Sequence, residues 1–293
     1  MTTRRQMLAL SASALAAGAI PASAQTPEVV QEGGSKITQL RNATLRIDYG
    51  GVRFLVDPML AERHAFPGFP GTANDHEANP MVNLPLPLPE IINVDAVIVT
   101  HLHEDHWDPA ARDALDKALP IFAQNEADAE VIRGQGFRDV RVLTESTQFN
   151  GVRLIKTGGR HGTEAHYAVP EMAEVLGEVC GVVFHRTGEK TIYLAGDTIW
   201  NKDVAAALST HAPDVAILNA GYAMVEGIDG AIIMGTEDVL RVHQAAPEAL
   251  LIASHMEAIN HCVLTRAELR AFAASKGFEE KLLTPGDGEA TAI

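Results

Sequence analysis

The pattern of apolar and polar residues predicts strands in the first part of the chain and an alternation of strands and helices after it. Residues 37–49 and 52–56 alternate apolar with polar positions and are rich in β-branched side chains, which is typical of a strand meander. Short apolar runs then alternate with helical periodicity: strands are predicted at 95–100, 120–123 and 140–143, and helices at 108–119 and 125–133. This rhythm indicates βαβ units.

The same order of elements recurs in the second half. Residues 148–156, 179–185 and 191–195 predict strands, the last two joined by a turn at 187–189. The final third alternates again, with predicted strands at 216–218, 250–253 and 281–283 and predicted helices at 236–244 and 265–276. Strands followed by alternation, twice over, predict an α/β fold of two similar halves stacked sheet to sheet, with helices outside.

Residues 57–90 interrupt the regular pattern. Proline, glycine and asparagine separate short apolar pieces there, which predicts a long ordered loop. Loops of this length usually serve a function, and two interpretations remain open: a lid over a site, or a contact between subunits.

Length and charge restrict the classes of function. The 293 residues, of which 46% are hydrophobic, suffice for one large domain, expected at 36–293. The formal net charge is -15, and no run of lysine and arginine forms a basic patch. Nucleic acid is therefore not an expected partner, whereas a small-molecule substrate is. The oligomeric state stays open.

The first residues have the features of an export signal. Arg4 and Arg5 precede an apolar stretch at 7–20 that ends in Ala22-Ser-Ala24, which predicts a cleavable signal peptide at 1–24, followed by a linker at 25–35. The paired arginines resemble a twin-arginine signal, with an ordinary secretory signal as the alternative. The apolar stretch is too short for a stable anchor. We therefore expect a periplasmic or secreted protein without stable membrane insertion after cleavage.

Four potential metal ligands lie within six positions: His101, His103, Asp105 and His106. They follow a predicted strand, and alternate residues of an extended chain face one way, so His101 and His103 can present imidazoles to one ion. Asp108-Pro109 is typical of a helix start, so the chain must turn before it. That turn directs Asp105 and His106 towards a second ion near the first.

Two ions need further ligands, which we expect at other strand ends. His161 lies among glycines in Gly158-Gly-Arg-His-Gly162, Asp197 follows the apolar run at 192–195, and His255 follows the run at 250–254. The alternative for each is a loop residue that bonds to the backbone. His166 is the substitute if His161 is not a ligand.

The ordered set His-x-His-x-Asp-His at 101–106, a later His, an Asp in Gly-Asp-Thr at 196–198 and a final His resembles the metallo-β-lactamase superfamily. Within it, the chain most resembles the ascorbate-6-phosphate lactonase-like hydrolases in Thr-His-Leu-His-Glu-Asp-His-Trp-Asp, Ala-Gly-Asp-Thr and Ser254-His255-Met-Glu-Ala-Ile-Asn-His261. The resemblance implies an αββα sandwich of two mixed sheets flanked by helices. It also implies one metal on His101, His103 and His161, another on Asp105, His106 and His255, and Asp197 bridging them.

The expected function is that of an exported metal-dependent hydrolase. Two divalent ions, zinc first and manganese or iron as alternatives, would share a hydroxide that attacks an ester or lactone. Asp105 would steer the proton, and His261 would bind substrate or protonate the leaving group, although His261 could equally serve packing. Two alternatives stay open: a phosphodiesterase acting on lipid or nucleotide fragments, and a non-catalytic metal-binding protein of this fold.

Overall fold

The predicted strands form two seven-stranded mixed sheets in the computed structural model, which describes residues 34–293. The predicted signal peptide at 1–24 and the linker up to residue 33 lie outside the described residues, so both stay predictions. Within residues 34–293, no helix combines the length and apolar character needed to cross a bilayer.

The first sheet combines a meander with parallel strands in the order β14-β1-β2-β3-β4-β5-β6. Its strands are β1 (Lys36–Arg41), β2 (Thr44–Tyr49), β3 (Val52–Val56), β4 (Ala96–Val99), β5 (Ile121–Ala123), β6 (Val140–Val142) and β14 (Ala290–Ala292). Strands β1 to β3 pair antiparallel, and β3 to β6 pair parallel. The carboxyl end of the chain supplies β14, whose pairing with β1 the hydrophobic pattern did not predict.

The second sheet repeats this plan in the order β13-β12-β11-β10-β9-β8-β7. Its strands are β7 (Thr147–Phe149), β8 (Val152–Gly158), β9 (Cys180–His185), β10 (Ile192–Leu194), β11 (Val215–Asn219), β12 (Leu250–Ser254) and β13 (Leu282–Leu283). The predicted strand at 148–156 is in fact a hairpin, because Asn150 and Gly151 both take positive φ and turn the chain between β7 and β8.

Helices follow the strands and cover the outer faces of both sheets. They are α1 (Leu88–Ile91), α2 (Pro109–Ala114), α3 (Glu126–Gly134), α4 (Glu164–Tyr167), α5 (Pro170–Leu176), α6 (Lys202–His211), α7 (Thr236–Ala245) and α8 (Arg266–Lys276), with a 3-10 turn at Glu279–Lys281. Apolar residues of α6, α7 and α8 pack on the second sheet, and those of α2 and α3 pack on the first. The predicted arrangement of two sheets inside and helices outside is confirmed.

Helix boundaries follow from capping. The Asp108 carboxylate accepts the Ala111 backbone N–H at 2.6 Å, so α2 begins where Asp108-Pro109 predicted. The helix ends at Ala114, five residues earlier than predicted, because Leu115 takes an extended conformation. The pattern missed α6, whose N-cap Asn201 accepts the backbone N–H groups of the first turn.

The core lies between the sheets and is rich in aromatic side chains. Phe54 on β3 meets Phe184 on β9 with ring centroids 5.4 Å apart and meets Phe149 on β7 at 6.1 Å, both edge to face. Phe54 and Phe184 are fully buried. These contacts join the inner faces of the two sheets.

Residues 57–90 form the predicted long ordered loop, apart from the single turn of α1. Buried Arg41 holds one part of this loop, because its guanidinium donates to the carbonyls of Ala61 at 2.9 Å and Val82 at 3.1 Å. Residues Phe66 and Asn79 pair as an isolated antiparallel bridge. The loop is therefore tied down internally and to the first sheet.

Removing the Phe54 ring tests this core. We expect Phe54→Ala to lower the free energy of unfolding by about 3–5 kcal/mol, because the substitution leaves a cavity between the sheets. Urea denaturation followed by circular dichroism measures it. Val131→Ala on α3 is the control, since Val131 is 49% exposed and its loss should cost less than about 0.5 kcal/mol. Equal effects of the two substitutions would contradict the assigned core.

Candidate metal centre

The potential ligands converge at one edge of the two sheets. His101 follows β4 of the first sheet, while His161, Asp197 and His255 follow β8, β10 and β12 of the second. Strands β8, β10 and β12 run in the same direction, so their carboxyl ends meet at one edge. Strand order thus brings together residues that lie up to about 150 positions apart in the chain.

One group of potential ligands contains three imidazoles: His101, His103 and His161. Their closest nitrogens all lie within 4.8 Å of one another, and His101 Nε2 is 2.9 Å from His103 Nδ1. His101 and His161 are buried, and His103 is partly exposed. Three imidazole nitrogens facing one point suit a divalent transition metal.

A second group contains Asp105, His106 and His255, again within 4.8 Å. His255 Nε2 lies 3.1 Å from both Asp105 Oδ2 and His106 Nε2. The turn after His103, which the helix start at Asp108 predicted, therefore brings Asp105 and His106 to His255, while His106 also stays beside His101 with ring centroids 4.1 Å apart.

Asp197 lies between the two groups. Its Oδ2 is 3.1 Å from His106 Nε2, 3.5 Å from His255 Nε2 and 3.6 Å from His161 Nε2. Its other oxygen, Oδ1, accepts a hydrogen bond from Asn219 Nδ2 at 2.6 Å. One oxygen is thus held by the protein while the other faces both groups, the arrangement that a bridging carboxylate requires.

Each imidazole of the two groups has an outer partner for the nitrogen that faces away from the centre. His106 Nδ1 lies 2.9 Å from Asp57 Oδ2, and His161 Nδ1 lies 2.8 Å from the Ile232 carbonyl. The remaining partners are the Thr100 hydroxyl for His101, the Val175 carbonyl for His103 and the Cys262 thiol for His255. Metal-binding histidines are oriented in this way, so the residues present fit divalent ions.

The pKa values of the buried groups in the centre also fit a metal site. Burial opposes the charged form of Asp197, yet the neighbouring His106 and His255 hold its pKa well below the ordinary value. Burial lowers the pKa of His161 to about 4, so this imidazole is neutral at pH 7. Buried carboxylates and imidazoles offer lone pairs that a cation can satisfy once the imidazoles that carry protons have released them.

Local backbone geometry makes room for the ligands. Gly196 has φ +68, and a Cβ there would lie 2.4 Å from the Cys180 carbonyl oxygen. A Cβ on Gly221 would lie 2.1 Å from the carbonyl oxygen of His255 and 2.6 Å from Cys262 Sγ. Neither position can carry a side chain without moving the segments that hold Asp197 and His255.

A cavity of about 450 Å³ opens beside the centre. The candidate ligands His103, Asp105, His161 and Asp197 reach it, together with His261. Its other walls are mainly apolar: Phe69, Pro70, Leu102, Met172, Val175, Leu176, Val225 and Ile232, with Gly71, Thr72 and Glu104. Among residues 34–293, no lysine or arginine lines this cavity.

Comparisons with known proteins agree with this geometry. The model of the beta-lactamase superfamily domain matches residues 52–256, which includes every ligand candidate. UPF0173 protein YddR of Bacillus subtilis is 45% identical over 254 residues, covering 86% of this chain and 98% of the relative.

This chain belongs to the metallo-β-lactamase superfamily.

Within the superfamily it belongs to the UPF0173 metal-dependent hydrolases. A member from Rubrobacter xylanophilus is 28% identical over 226 residues, covering 73% of this chain and 84% of the relative. The crystal structure of an isothiocyanate hydrolase from Delia radicum gut bacteria is 50% identical, with a TM-score of 0.86, covering 88% of this chain and 99% of that one. The predicted metallo-β-lactamase fold is confirmed, whereas the finer likeness to lactonases of ascorbate 6-phosphate stays a prediction.

The structure brings together all seven metal ligands predicted for this hydrolase: His101, His103, Asp105, His106, His161, Asp197 and His255. Their binding of ions stays a prediction. The substitute His166 is not in these groups, because its Nδ1 lies 2.8 Å from the Thr163 hydroxyl in the capping box of α4. His261 lies in the cavity wall, buried beside Phe69.

Sequence analysis missed the residues that support the predicted ligands. Asp57 follows β3 directly, and Asn219 ends β11, so both carried the signal that identified Asp197: a polar residue at the mouth of a buried strand. Asn42 gave a weaker signal, since it lies in the turn between β1 and β2. Its Nδ2 donates to the Asp105 carbonyl at 3.0 Å.

The contact between Asp57 and His106 can be tested by metal affinity. We expect Asp57→Asn to weaken zinc binding about 10- to 100-fold, because the substitution removes the carboxylate that orients His106. Competition with a chromogenic chelator measures it. Asp139→Asn is the matched control, because Asp139 forms an exposed pair with Arg141 at 2.7 Å. Unchanged affinity in Asp57→Asn would contradict the supporting role.

Metal binding should also release protons. Burial opposes the imidazolium form of His106, but the carboxylates of Asp197, Asp105 and Asp57 raise the pKa of His106 to about 10 in the metal-free protein. At pH 7 a metal ion must displace this proton, because only the neutral imidazole binds a metal ion. We expect zinc affinity to rise about tenfold per pH unit for each proton released, from about pH 6 to about pH 9.

Calorimetric titration in two buffers of different ionisation enthalpy counts the protons. Binding that neither depends on pH nor releases protons would contradict the charge state assigned to His106.

Proposed function

We propose that this metal-dependent hydrolase cleaves small uncharged electrophiles that carry an apolar group, with isothiocyanates as the first class. The observation that carries the proposal is the apolar cavity beside the His and Asp groups. It has room for a small organic molecule, and apolar walls favour an uncharged one. The isothiocyanate hydrolase at 50% identity supports the choice of class.

Charge disfavours the phosphodiesterase alternative. Among residues 34–293, the cavity wall has no lysine or arginine to pair with a phosphate, and Glu104 adds a negative charge at its rim. An ester or lactone would meet the same apolar walls and is the second candidate. Hydrolysis is favoured over simple metal storage, because the cavity gives a substrate access to His103, His161 and Asp197.

The proposed reaction is the addition of water to the central carbon of R–N=C=S. A bond forms between the central carbon and the water oxygen, the bond between the central carbon and nitrogen breaks, and the nitrogen receives both protons of the water. The products are an amine R–NH₂ and carbonyl sulfide, and no oxidant or reductant is needed. Divalent ions, when bound, would lower the pKa of water enough to supply the nucleophile near pH 7. His101, His103, Asp105, His106, His161, Asp197 and His255 would hold them.

Two side chains of this protein would move a proton and bind the substrate. Asp105 faces the cavity and can accept a proton from the attacking water. Burial lowers the pKa of His261 to about 4, so its imidazole is neutral and can donate an N–H hydrogen bond to a heteroatom of the substrate. The His261 ring can meet a substrate because the residue lines the cavity, whereas its Nδ1 is buried and has no hydrogen-bond partner within residues 34–293.

The test is turnover of the purified protein loaded with zinc, manganese or iron in turn. The substrates are allyl and benzyl isothiocyanate, phenyl acetate, a δ-lactone and bis(p-nitrophenyl) phosphate. We expect metal-dependent loss of isothiocyanate with release of amine. Asp197→Ala should abolish it, and His261→Ala, which removes the hydrogen-bond donor, should lower kcat about 10²- to 10³-fold with the metal content unchanged.

Two results would overturn the proposal. Hydrolysis of the acetate or lactone without isothiocyanate turnover would show that the protein is an esterase or lactonase, the second candidate. Full metal loading without turnover of any substrate would support a non-catalytic metal-binding protein.

A further inference from the structure

One wall of the cavity comes from the long loop. Phe69, Pro70, Gly71 and Thr72 line it, and we call residues 69–72 the loop wall. The Phe69 ring packs edge to face on the His261 imidazole, with centroids 5.3 Å apart and an interplanar angle of 74°. The position of the loop wall therefore affects both the cavity shape and the place of His261.

The Asn260 side chain makes four hydrogen bonds to the loop. Its Oδ1 accepts the Phe69 backbone N–H at 3.2 Å and Asn79 Nδ2 at 2.7 Å. Its Nδ2 donates to Thr72 Oγ1 and to the Ala73 carbonyl, each at 2.8 Å. Asn260 is 2% exposed, so water competes little for these bonds.

The backbone of Asn260 continues the same network. Its N–H donates to Asn79 Oδ1 at 2.9 Å, and its carbonyl accepts Asn74 Nδ2 at 3.2 Å. The next residue along the chain is His261, whose carbonyl accepts the Met224 N–H at 3.0 Å. Asn260 thus joins the loop wall to the segment that carries His261.

The chemistry requires an amide. Asn260 uses two N–H donors and two lone pairs of its oxygen, which no other side chain of this size offers. An aspartate would place a carboxylate against the Ala73 carbonyl and against Thr72 Oγ1, which already donates to the Phe69 carbonyl at 2.7 Å. The substitution would keep the shape and the two bonds that Oδ1 accepts, and it would lose the two bonds that Nδ2 donates.

We propose that Asn260 is a positioning residue that fixes the loop wall against His261 and thereby determines which substrate side groups the cavity accepts. The proposal rests on the proposed function in one respect, that the cavity binds the apolar group of the substrate. Asn260 itself does not line the cavity among the described residues, so its effect on a substrate is indirect.

The kinetic test compares Asn260→Asp and Asn260→Ala with the unsubstituted protein on allyl and benzyl isothiocyanate. We expect KM to rise for both, and the ratio of kcat/KM between the two substrates to change about tenfold, because displaced walls alter the fit of the larger group. Metal content should not change. Thr265→Ala, which removes the N-cap of α8, is the control: it should lower Tm and leave the ratio unchanged.

A merely structural role of Asn260 gives a different result. The fraction of active protein would fall, kcat would drop equally for both substrates, and KM and the ratio would stay unchanged. That result would overturn the proposal. If Asn260→Ala does not fold, Asn74→Gly removes one bond of the network at a residue that does not line the cavity and whose φ of +56 suits glycine, and it should move the ratio in the same direction by less.

Amide hydrogen exchange measures the attachment of the loop wall without any substrate. In Asn260→Asp, exchange should accelerate at residues 69–79 and stay unchanged at 101–108. If the unsubstituted protein does not turn over isothiocyanates, the proposed function fails while the exchange data still test the attachment. Unchanged exchange at 69–79 would overturn the positioning role.

Discussion

The structure depends on one electrostatic constraint: five imidazoles and two carboxylates converge in a space where water contributes little. Apart from partly exposed His103, the ligand residues are all buried. Groups of this kind cost much free energy when desolvated unless a partner satisfies them. In the metal-free protein, protons on His106 and His255 supply part of the compensation. Divalent ions would supply it more completely, and the surrounding residues are arranged for that state.

The sheets position the candidate ligands, and the loops form the cavity beside them. Strand ends deliver the ligands, and buried groups such as Asp57 and Asn219 orient them from behind. The substrate cavity is built from α5, the loop at 57–90 and the segment around Val225, outside the sheets. The candidate ligands therefore lie at strand ends and in the turn after β4, whereas the cavity walls lie on parts whose position needs separate attachment, which we propose that Asn260 provides.

Sequence analysis predicted the features that depend on residues close together in the chain. Alternating patterns and short apolar runs identified most strands, Asp108-Pro109 identified the start of α2, and the spacing of His101 to His106 identified the cluster of candidate ligands. It missed α6 and the pairing of β14 with β1, since that pairing joins opposite ends of the domain. It also missed Asn260 and the cavity walls. A polar residue in a loop shows its partners only once the loop has folded against distant segments.

Anomalous diffraction from crystals of the zinc-loaded protein tests the central claim most directly. The account predicts two peaks about 3.5–4 Å apart, as in two-metal sites, one among His101, His103 and His161 and the other among Asp105, His106 and His255, with Asp197 between them. A single peak, or zinc bound away from these residues, would contradict the account.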